Sequence, residues 1–416
     1  MWRRLRSFDR SVQLLMLNQL TINIGFYMLM PYLAGHLSGG LGMAAWTVGL
    51  VLGVRNLSQQ GLFLLGGTLA DRLGYKPVIV AGCLLRTAGF ALLGLVDSLP
   101  ALLVASAATG FAGALFNPAV RAYLAHDAAD RRVEAFALFN VFYQAGILVG
   151  PLIGLALVAV DFRLACLTAA AVFAALTVLQ IRALPRCRTG DATAGAGVLA
   201  DWRTVLSGRS FLLFSLAMAG SYVLSFQLYL ALPLQLDGAG AVSVLFVLSA
   251  VVAIAGQLRI TDWARRRWSH PQAITRGLLL MAVAFLPLAL TGAAWPHSAV
   301  PRVGAVLLCA VLLTLATTLT YPFEMDTVVS LAGGRLVATH YGLYNTVAGV
   351  GIALGNLLTG LLLDSGSTAL PWVVLSALGG ACAFAVHRLG RRGRLTVGEG
   401  EQEQASPAPP GTRSRT

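Results

Sequence analysis

Long apolar runs recur from one end of this 416-residue chain to the other, and they dictate its solvent. About 20 mostly apolar residues, rising 1.5 Å each as a helix, cross the hydrocarbon core of a bilayer. Runs that meet this test lie near 11–37, 46–70, 77–97, 99–121, 135–159 and 163–182. A second set lies near 209–235, 241–262, 274–294, 302–326, 337–363 and 369–390. They predict an all-α polytopic membrane protein of twelve spans, six in each half. Only 11% of the residues are charged, against about 25% in an ordinary soluble domain. The chain therefore lacks the polar side chains to coat a globular surface in water.

Arginine orients the spans. Of the 30 basic residues only Lys76 is a lysine. The arginines cluster at the N-terminus (Arg3, Arg4, Arg6, Arg10) and in every second loop, as at Arg131 and Arg132 or Arg265, Arg266 and Arg267. The opposite loops carry only Arg163 and Arg302. By the positive-inside rule both termini face the cytoplasm. The first apolar run is too long for the core of a signal peptide and reads as a retained span. A net charge of +13 would suit nucleic acid if it formed a basic stripe on a soluble face. Split into short clusters between apolar runs, it predicts no nucleic-acid partner.

The organisation follows from these runs. Residues 1–184 are read as an N-terminal six-helix bundle and 209–392 as a C-terminal one. Between them, 185–208 is a small, polar, basic cytoplasmic linker with a short amphipathic helix near Trp202. Residues 393–416, rich in Gly, Pro and Glu, are expected to be a disordered cytoplasmic tail. The halves resemble each other: 136–154 and 341–359 align without a gap, so that Asn140, Gly146 and Gly150 recur as Asn345, Gly351 and Gly355. The segment "YMLMP" (27–31) likewise matches "YLALP" (229–233) at nearly the same offset. Duplicated bundles of this kind place a site between their repeats.

A compact charged turn, "GGTLADRLGYKP" at 66–77, interrupts the apolar pattern between the second and third runs. Small residues at Gly66 and Gly67 let helices approach closely in lipid. Asp71 can accept hydrogen bonds from the first N–H groups of a helix and complement its positive end. Gly74 permits a sharp turn, and Pro77 suits the first turn of the next helix. Six plus six spans, a basic central loop and this turn together resemble the major facilitator superfamily, whose signature at this loop is G-x-L-x-D-R-x-G-R/K-K/R. Gly67, Leu69, Asp71, Arg72, Gly74 and Lys76 match it, with Tyr75 in place of the first base. The resemblance implies a gating turn in which the acid latches the first half onto span eleven when the carrier is open outward. Arg121, at the end of span four, is the expected local partner of Asp71.

Span five carries "GILVGPLIG", with Gly146, Gly150, Pro151 and Gly154 in the pattern G-x-x-x-G-P-x-x-G. Small residues four apart form one smooth stripe, and Pro151 removes a backbone hydrogen bond. The pattern resembles the antiporter motif of drug exporters, and the first half is similar to bacterial twelve-span multidrug:proton antiporters. That resemblance implies an inner-membrane carrier, monomeric and without a cofactor, exporting lipophilic or amphipathic small molecules by alternating access in exchange for protons. Such antiporters carry an acid in span one and an arginine in span four. Here span one offers Asn18 and Asn23, and Ser106 stands where the arginine is expected.

Ionisable groups inside spans are site candidates by default. Arg55 and Arg86 each lie roughly 13 Å deep, without an acid at comparable depth in their half; Gln59, one turn from Arg55, can share its hydrogen bonds. They leave open an alternative, a carrier for an anionic metabolite. Glu324 and Asp326, just after Pro322, are the candidate proton-coupling pair, because desolvation favours the protonated acid. Alternatively, they lie solvated at the inner mouth and bond Arg335 or Arg276. Candidate cavity liners are Asn23, Tyr27, Asn140, Gln144, Phe226, Gln227, Tyr229, Tyr341, Tyr344 and Asn345, a mixed apolar and amide set suited to amphipathic ligands. The five cysteines lack metal-type spacing. Neither H-E-x-x-H nor G-x-S-x-G occurs, so an integral-membrane enzyme is disfavoured; a non-transporting sensor on the same scaffold is the remaining alternative.

Overall fold

The computed structural model describes residues 2–185, 197–236, 239–294 and 299–395, and regular structure among them is helical throughout. The first half comprises α1 (Trp2–Arg6), α2 (Arg10–Tyr27), α3 (Met30–Gly35), α4 (Ala45–Gly61), α5 (Phe63–Leu73), α6 (Tyr75–Leu95), α7 (Leu99–Ala128), α8 (Arg132–Val158) and α9 (Phe162–Ala183). A ten-residue helix, α10 (Val198–Ser207), precedes the second half. There follow α11 (Arg209–Phe226), α12 (Ala239–Arg265), α13 (His270–Ala284), α14 (Leu286–Ala294), α15 (Ala299–Ala332), α16 (Val337–Leu363) and α17 (Leu370–Arg391). Cys187 and the expected tail from 396 onward lie outside the described residues, as does most of the polar part of the linker.

Ten helical stretches among the described residues are long and apolar enough to cross a membrane. One of them, 99–158, contains both α7 and α8, joined by a single 3-10 turn at Ala129–Arg131. Two expected spans are not continuous helices. The run at 46–70 breaks at Leu62, leaving α4 and α5 with 17 and 11 residues, each short of a full crossing. The break is tolerated because it is covered by protein: the freed Gln60 carbonyl accepts from the Thr346 hydroxyl at 3.2 Å. The run at 209–235 is helical only to Phe226 and continues as turns into a 3-10 turn at Pro233–Gln235. There the buried Gln227 amide donates to Val223 O at 2.8 Å, satisfying one of the last carbonyls of α11.

Within each half, packing repeats the sequence duplication. α2 lies on α8, and α11 lies on α16. The glycine stripes make both contacts possible. A Cβ built on Gly146 or Gly150 would stand 2.5 Å and 2.8 Å from the Cβ atoms of Asn23 and Tyr27, and one on Gly154 2.0 Å from Met28 O. On α16, a Cβ at Gly355 would meet Val223 at 2.3 Å. α6 packs between α7 and α9, and α13 between α15 and α17. Large apolar side chains such as Leu57, Leu216 and Leu361 stand exposed on the outer surface, an arrangement that suits lipid rather than water.

The halves meet along α5–α16, α8–α12 and α8–α15. The α5–α16 crossing is backbone against backbone: a Cβ on Gly67 would lie 2.1 Å from Ala338 O, and one on Gly342 2.4 Å from Phe63 O. Helix α10 is pinned beside this crossing. Its buried Asp201 accepts from Arg72 Nε and Nη2 at 2.9 and 2.6 Å, and Trp202 Nε1 donates to Thr68 Oγ1 at 2.9 Å.

Overpacking a close helix contact costs about 1–3 kcal/mol. Gly154→Ala is expected to lower the melting temperature of the detergent-solubilised protein, whereas Gly360→Ala, with nothing within 4 Å of its Cβ, leaves it unchanged or raised. Thermal unfolding of the two variants side by side checks this, and equal melting would contradict the α2–α8 packing.

Candidate functional site

Helix α16 begins behind Leu336, a leucine held in the left-handed region at φ 52° that offers no side-chain cap. Its first N–H groups need acceptors from elsewhere. Asp71, at the end of α5, supplies them from the other half. Its Oδ1 accepts from Ala338 N at 3.1 Å, and its Oδ2 from Thr339 N and the Thr339 hydroxyl, both at 2.7 Å. The carboxylate is buried and faces the positive end of the helix. Gly74, at φ 90°, turns the chain immediately afterwards into α6; Lys76 then donates to Ile181 O at 2.8 Å.

The expected Asp71–Arg121 pairing is not formed. The Asp71 oxygens are taken by the start of α16, and Arg121 instead lies among Tyr321 on α15, Tyr222 on α11 and Tyr341 on α16. Behind it sits Glu324, buried, accepting from the hydroxyl of Tyr344 and lying beside Tyr222. Asp326 is also buried, but it pairs with Arg132 Nε at 2.6 Å and His270 Nε2 at 3.4 Å. The alternative partners Arg335 and Arg276 take neither acid; Arg276 lies over the Trp268 ring at 4.2 Å. Two residues along a helix is about 200° of rotation. Glu324 therefore faces α11 and α16, while Asp326 faces α8 and α13.

These ties share one face. Arg132 opens α8 and Thr339 opens α16, the two helices related by the duplication, and each start is held by an acid of the opposite half. Arg4 adds a further bridge to Asp262 at 2.5 Å. Deeper in, Asn140 Nδ2 donates to Gln257 Oε1 at 2.6 Å, and Gln257 Nε2 donates to Thr318 O at 2.9 Å. The arginine-rich ends of the two halves are thus joined by buried, largely satisfied polar groups.

Beyond this closure a cavity of about 190 Å³ opens between the halves. α2 contributes Gln19, Ile22, Asn23, Phe26 and Tyr27; the broken α4–α5 segment contributes Gln59, Gln60 and Phe63. Arg86, Asn117, Arg121 and Tyr143 come from α6, α7 and α8, and Tyr222, Phe226, Asn345, Ala348, Gly349 and Ile352 from the second half. Among the described residues, none of those lining it is acidic. Arg55 donates to Gln59 Oε1 at 3.3 Å and to the Asn56 side chain, outside the lining itself.

Of the expected liners, Asn23, Tyr27, Gln59, Phe226 and Asn345 face the cavity. The others do not. Asn140 and Gln227 are spent on the buried hydrogen bonds above, and the fully buried Tyr341 donates to Met325 O at 2.8 Å. Tyr344 serves Glu324. Tyr229 stands half-exposed, stacked on Phe246 at 5.5 Å, and Gln144 is half-buried outside the lining. Among the lining residues not expected, Phe26, Gln60, Phe63 and Ala348 carried a usable signal. Phe26, Phe63 and Ala348 lie three or four residues from Asn23, Gln59 and Asn345, the spacing that keeps side chains on one helical face, and Gln60 adjoins Gln59 at the end of α4.

Comparison with known proteins agrees with this architecture. The Major Facilitator Superfamily pattern matches residues 15–356. An uncharacterised MFS-type transporter of Mycobacterium tuberculosis is 54% identical over 366 residues, covering 86% of this chain and 87% of the relative. The multidrug resistance protein MdtH of Yersinia pestis is 31% identical over 374 residues, covering 88% of this chain and 90% of the relative. Among solved structures, that of the human organic anion transporter MFSD10 superposes with a TM-score of 0.71 over 91% of this chain and 99% of its own, at 18% identity, a likeness of fold alone. The chain is a multi-pass membrane transporter, not an enzyme, and belongs to the Major Facilitator Superfamily.

Proposed function

We propose that the protein exports lipophilic or amphipathic small molecules across the bacterial inner membrane by alternating access, in exchange for protons. The observation that carries this reading is the placement of the cavity between two bundles whose tight polar closure is confined to one face. Rocking the bundles breaks that closure as a unit and presents the same cavity to the other side. The arginine distribution puts the closed face in the cytoplasm, with both termini, so this conformer is the one closed inward. Twelve spans follow if α4 with α5 forms one crossing and 99–158 forms two. The working unit in this reading is a monomer, with boundaries at 1–184 and 209–392. The likeness to a multidrug resistance protein supports drugs as cargo.

Glu324 is the proton carrier in this reading, and Asp71 and Asp326 are the latches. Glu324 lies behind the cavity-lining Tyr222 and Arg121, so its proton and the cargo share one electrostatic environment. Asp71 and Asp326 face the starts of α16 and α8 and hold the closed face. Gly67 and Gly74 give the latch its close approach and its turn, Arg72 ties it to α10, and the stripe of Gly146, Gly150, Pro151 and Gly154 keeps α8 on α2.

In inverted vesicles an imposed acid-inside gradient is expected to drive accumulation of a fluorescent amphiphile. Glu324→Gln should leave only downhill flux. Accumulation by the native protein that ignores the gradient would overturn proton exchange. Asp71→Asn keeps one acceptor oxygen but removes the negative charge at the positive end of α16, a loss of about 0.3–2 kcal/mol, so it is expected to leave folding intact, depopulate the inward-closed conformer several-fold and slow transport. Spin-label distances between the loop after α5 and the start of α16 should lengthen in this variant. Unchanged distances and turnover would reduce the turn to a connector.

A further inference from the structure

Arg86 is a buried cation without a counter-ion. It lies mid-way along α6, is 5% exposed and lines the cavity. Among the described residues it donates no hydrogen bond, forms no ion pair, and its buried Nε has no partner. The groups that act on it electrostatically are Cys83, Arg55 and Tyr27, none of them a carboxylate. A guanidinium stays charged in proteins, so this positive charge is permanent.

Its compensation within the protein is partial. The guanidinium carbon lies 5.2 Å from the centroid of Phe26 and 5.4 Å from that of Phe173. A desolvated cation–π contact contributes about 2 kcal/mol, whereas an unpaired buried ion costs several kcal/mol. Phe26 is moreover shared, since Arg55 sits 5.1 Å from the same ring. The second cation adds repulsion. The other lining arginine, Arg121, has Glu324 and Tyr321 beside it.

The space at Arg86 is kept open by Gly113 on α7. A Cβ there would meet Arg86 Nη2 at 3.0 Å and Gln59 Cδ at 3.1 Å. The Gln59 amide beside the guanidinium and the nearby ring of Phe26 complete a pocket with donors in a planar fork and an aromatic wall. A fork of N–H donors matches a carboxylate in two parallel bonds. The cavity of about 190 Å³ is below the roughly 300–1,000 Å³ of drug-sized sites, so the occupant is compact.

We infer that the cavity selects compact aromatic acids, whose carboxylate seats on Arg86 while the ring packs among the aromatic side chains. Lipophilic cations are excluded, because they would face an unneutralised guanidinium in a low-dielectric wall. The inference rests on the cavity being the cargo site of the exporter proposed above, and it narrows the cargo from amphipathic molecules in general to anions.

The test is equilibrium binding to the purified full-length protein in detergent, using 1-naphthoate, 1-naphthamide and 1-naphthylmethylammonium. Naphthoate is expected to bind at least tenfold tighter than either analogue. Arg86→Gln should lose that tenfold preference while still binding naphthamide like the native protein, which shows that the cavity survives. A melting temperature equal to or above the native value is expected as well, since the variant removes an unpaired buried charge. Equal binding of the three probes, or carboxylate preference retained in Arg86→Gln, would overturn the inference. Vesicle flux separates it from the export reading: flux without preference for the acid overturns this inference alone, whereas selective binding without flux sustains it and overturns export.

Discussion

A carboxylate of one half caps a helix of the other, and the arrangement of the halves depends on that contact. Asp71 does for α16 what a helix usually obtains from its own N-cap residue, satisfying the second and third N–H groups. Leu336 cannot supply the acceptor, and its left-handed backbone turns the preceding chain away. The bond requires α5 and α16 to touch at backbone distance, which Gly67 and Gly342 alone allow. Capping and close packing are therefore one constraint. Any movement that separates the halves at this face breaks both together, so the contact has two states rather than a continuum.

The duplication gives this constraint a counterpart. α8 and α16 derive from equivalent sequence, and each begins at the interface, held by an acid of the opposite half. The means differ: Asp71 bonds backbone N–H groups directly, whereas Asp326 reaches α8 through the Arg132 side chain. The first is rigid and depends on close approach, and the second spans a longer gap. Near-symmetric helices thus close the face with unlike chemistry. Behind them, Asn140 is committed to Gln257, so a residue that the repeat made conspicuous belongs to the closure rather than to the cavity.

Much of the architecture was legible from residue order. Apolar run length located most of the long helices, because a backbone in lipid must satisfy its own hydrogen bonds, and the helix does so over about 20 residues. The turn around Asp71 and Gly74 was legible because its geometry needs those residue types. Five of the cavity-lining residues, Asn23, Tyr27, Gln59, Phe226 and Asn345, were legible as polar or aromatic positions inside spans. What escaped was rotation and partner choice. Nothing local distinguishes Tyr341, which is buried against Met325 O, from Phe226, which faces the cavity. Likewise Arg121 was expected to pair with Asp71 of its own half, whereas Tyr222, Tyr321 and Tyr341, the groups around it, all come from the second half.

Composition and periodicity by themselves determined that this chain is a helical membrane protein with related halves and a charged turn between two of its spans. Those properties follow from solvation and local backbone geometry, which each segment decides alone. Only the tertiary structure decided where α4 parts from α5, which acid meets which base, and that Arg86 stands in the cavity wall with aromatic rings but no carboxylate around it. Pairing of charges in a low-dielectric interior depends on distances of a few ångströms between segments hundreds of residues apart, and no local pattern encodes those distances.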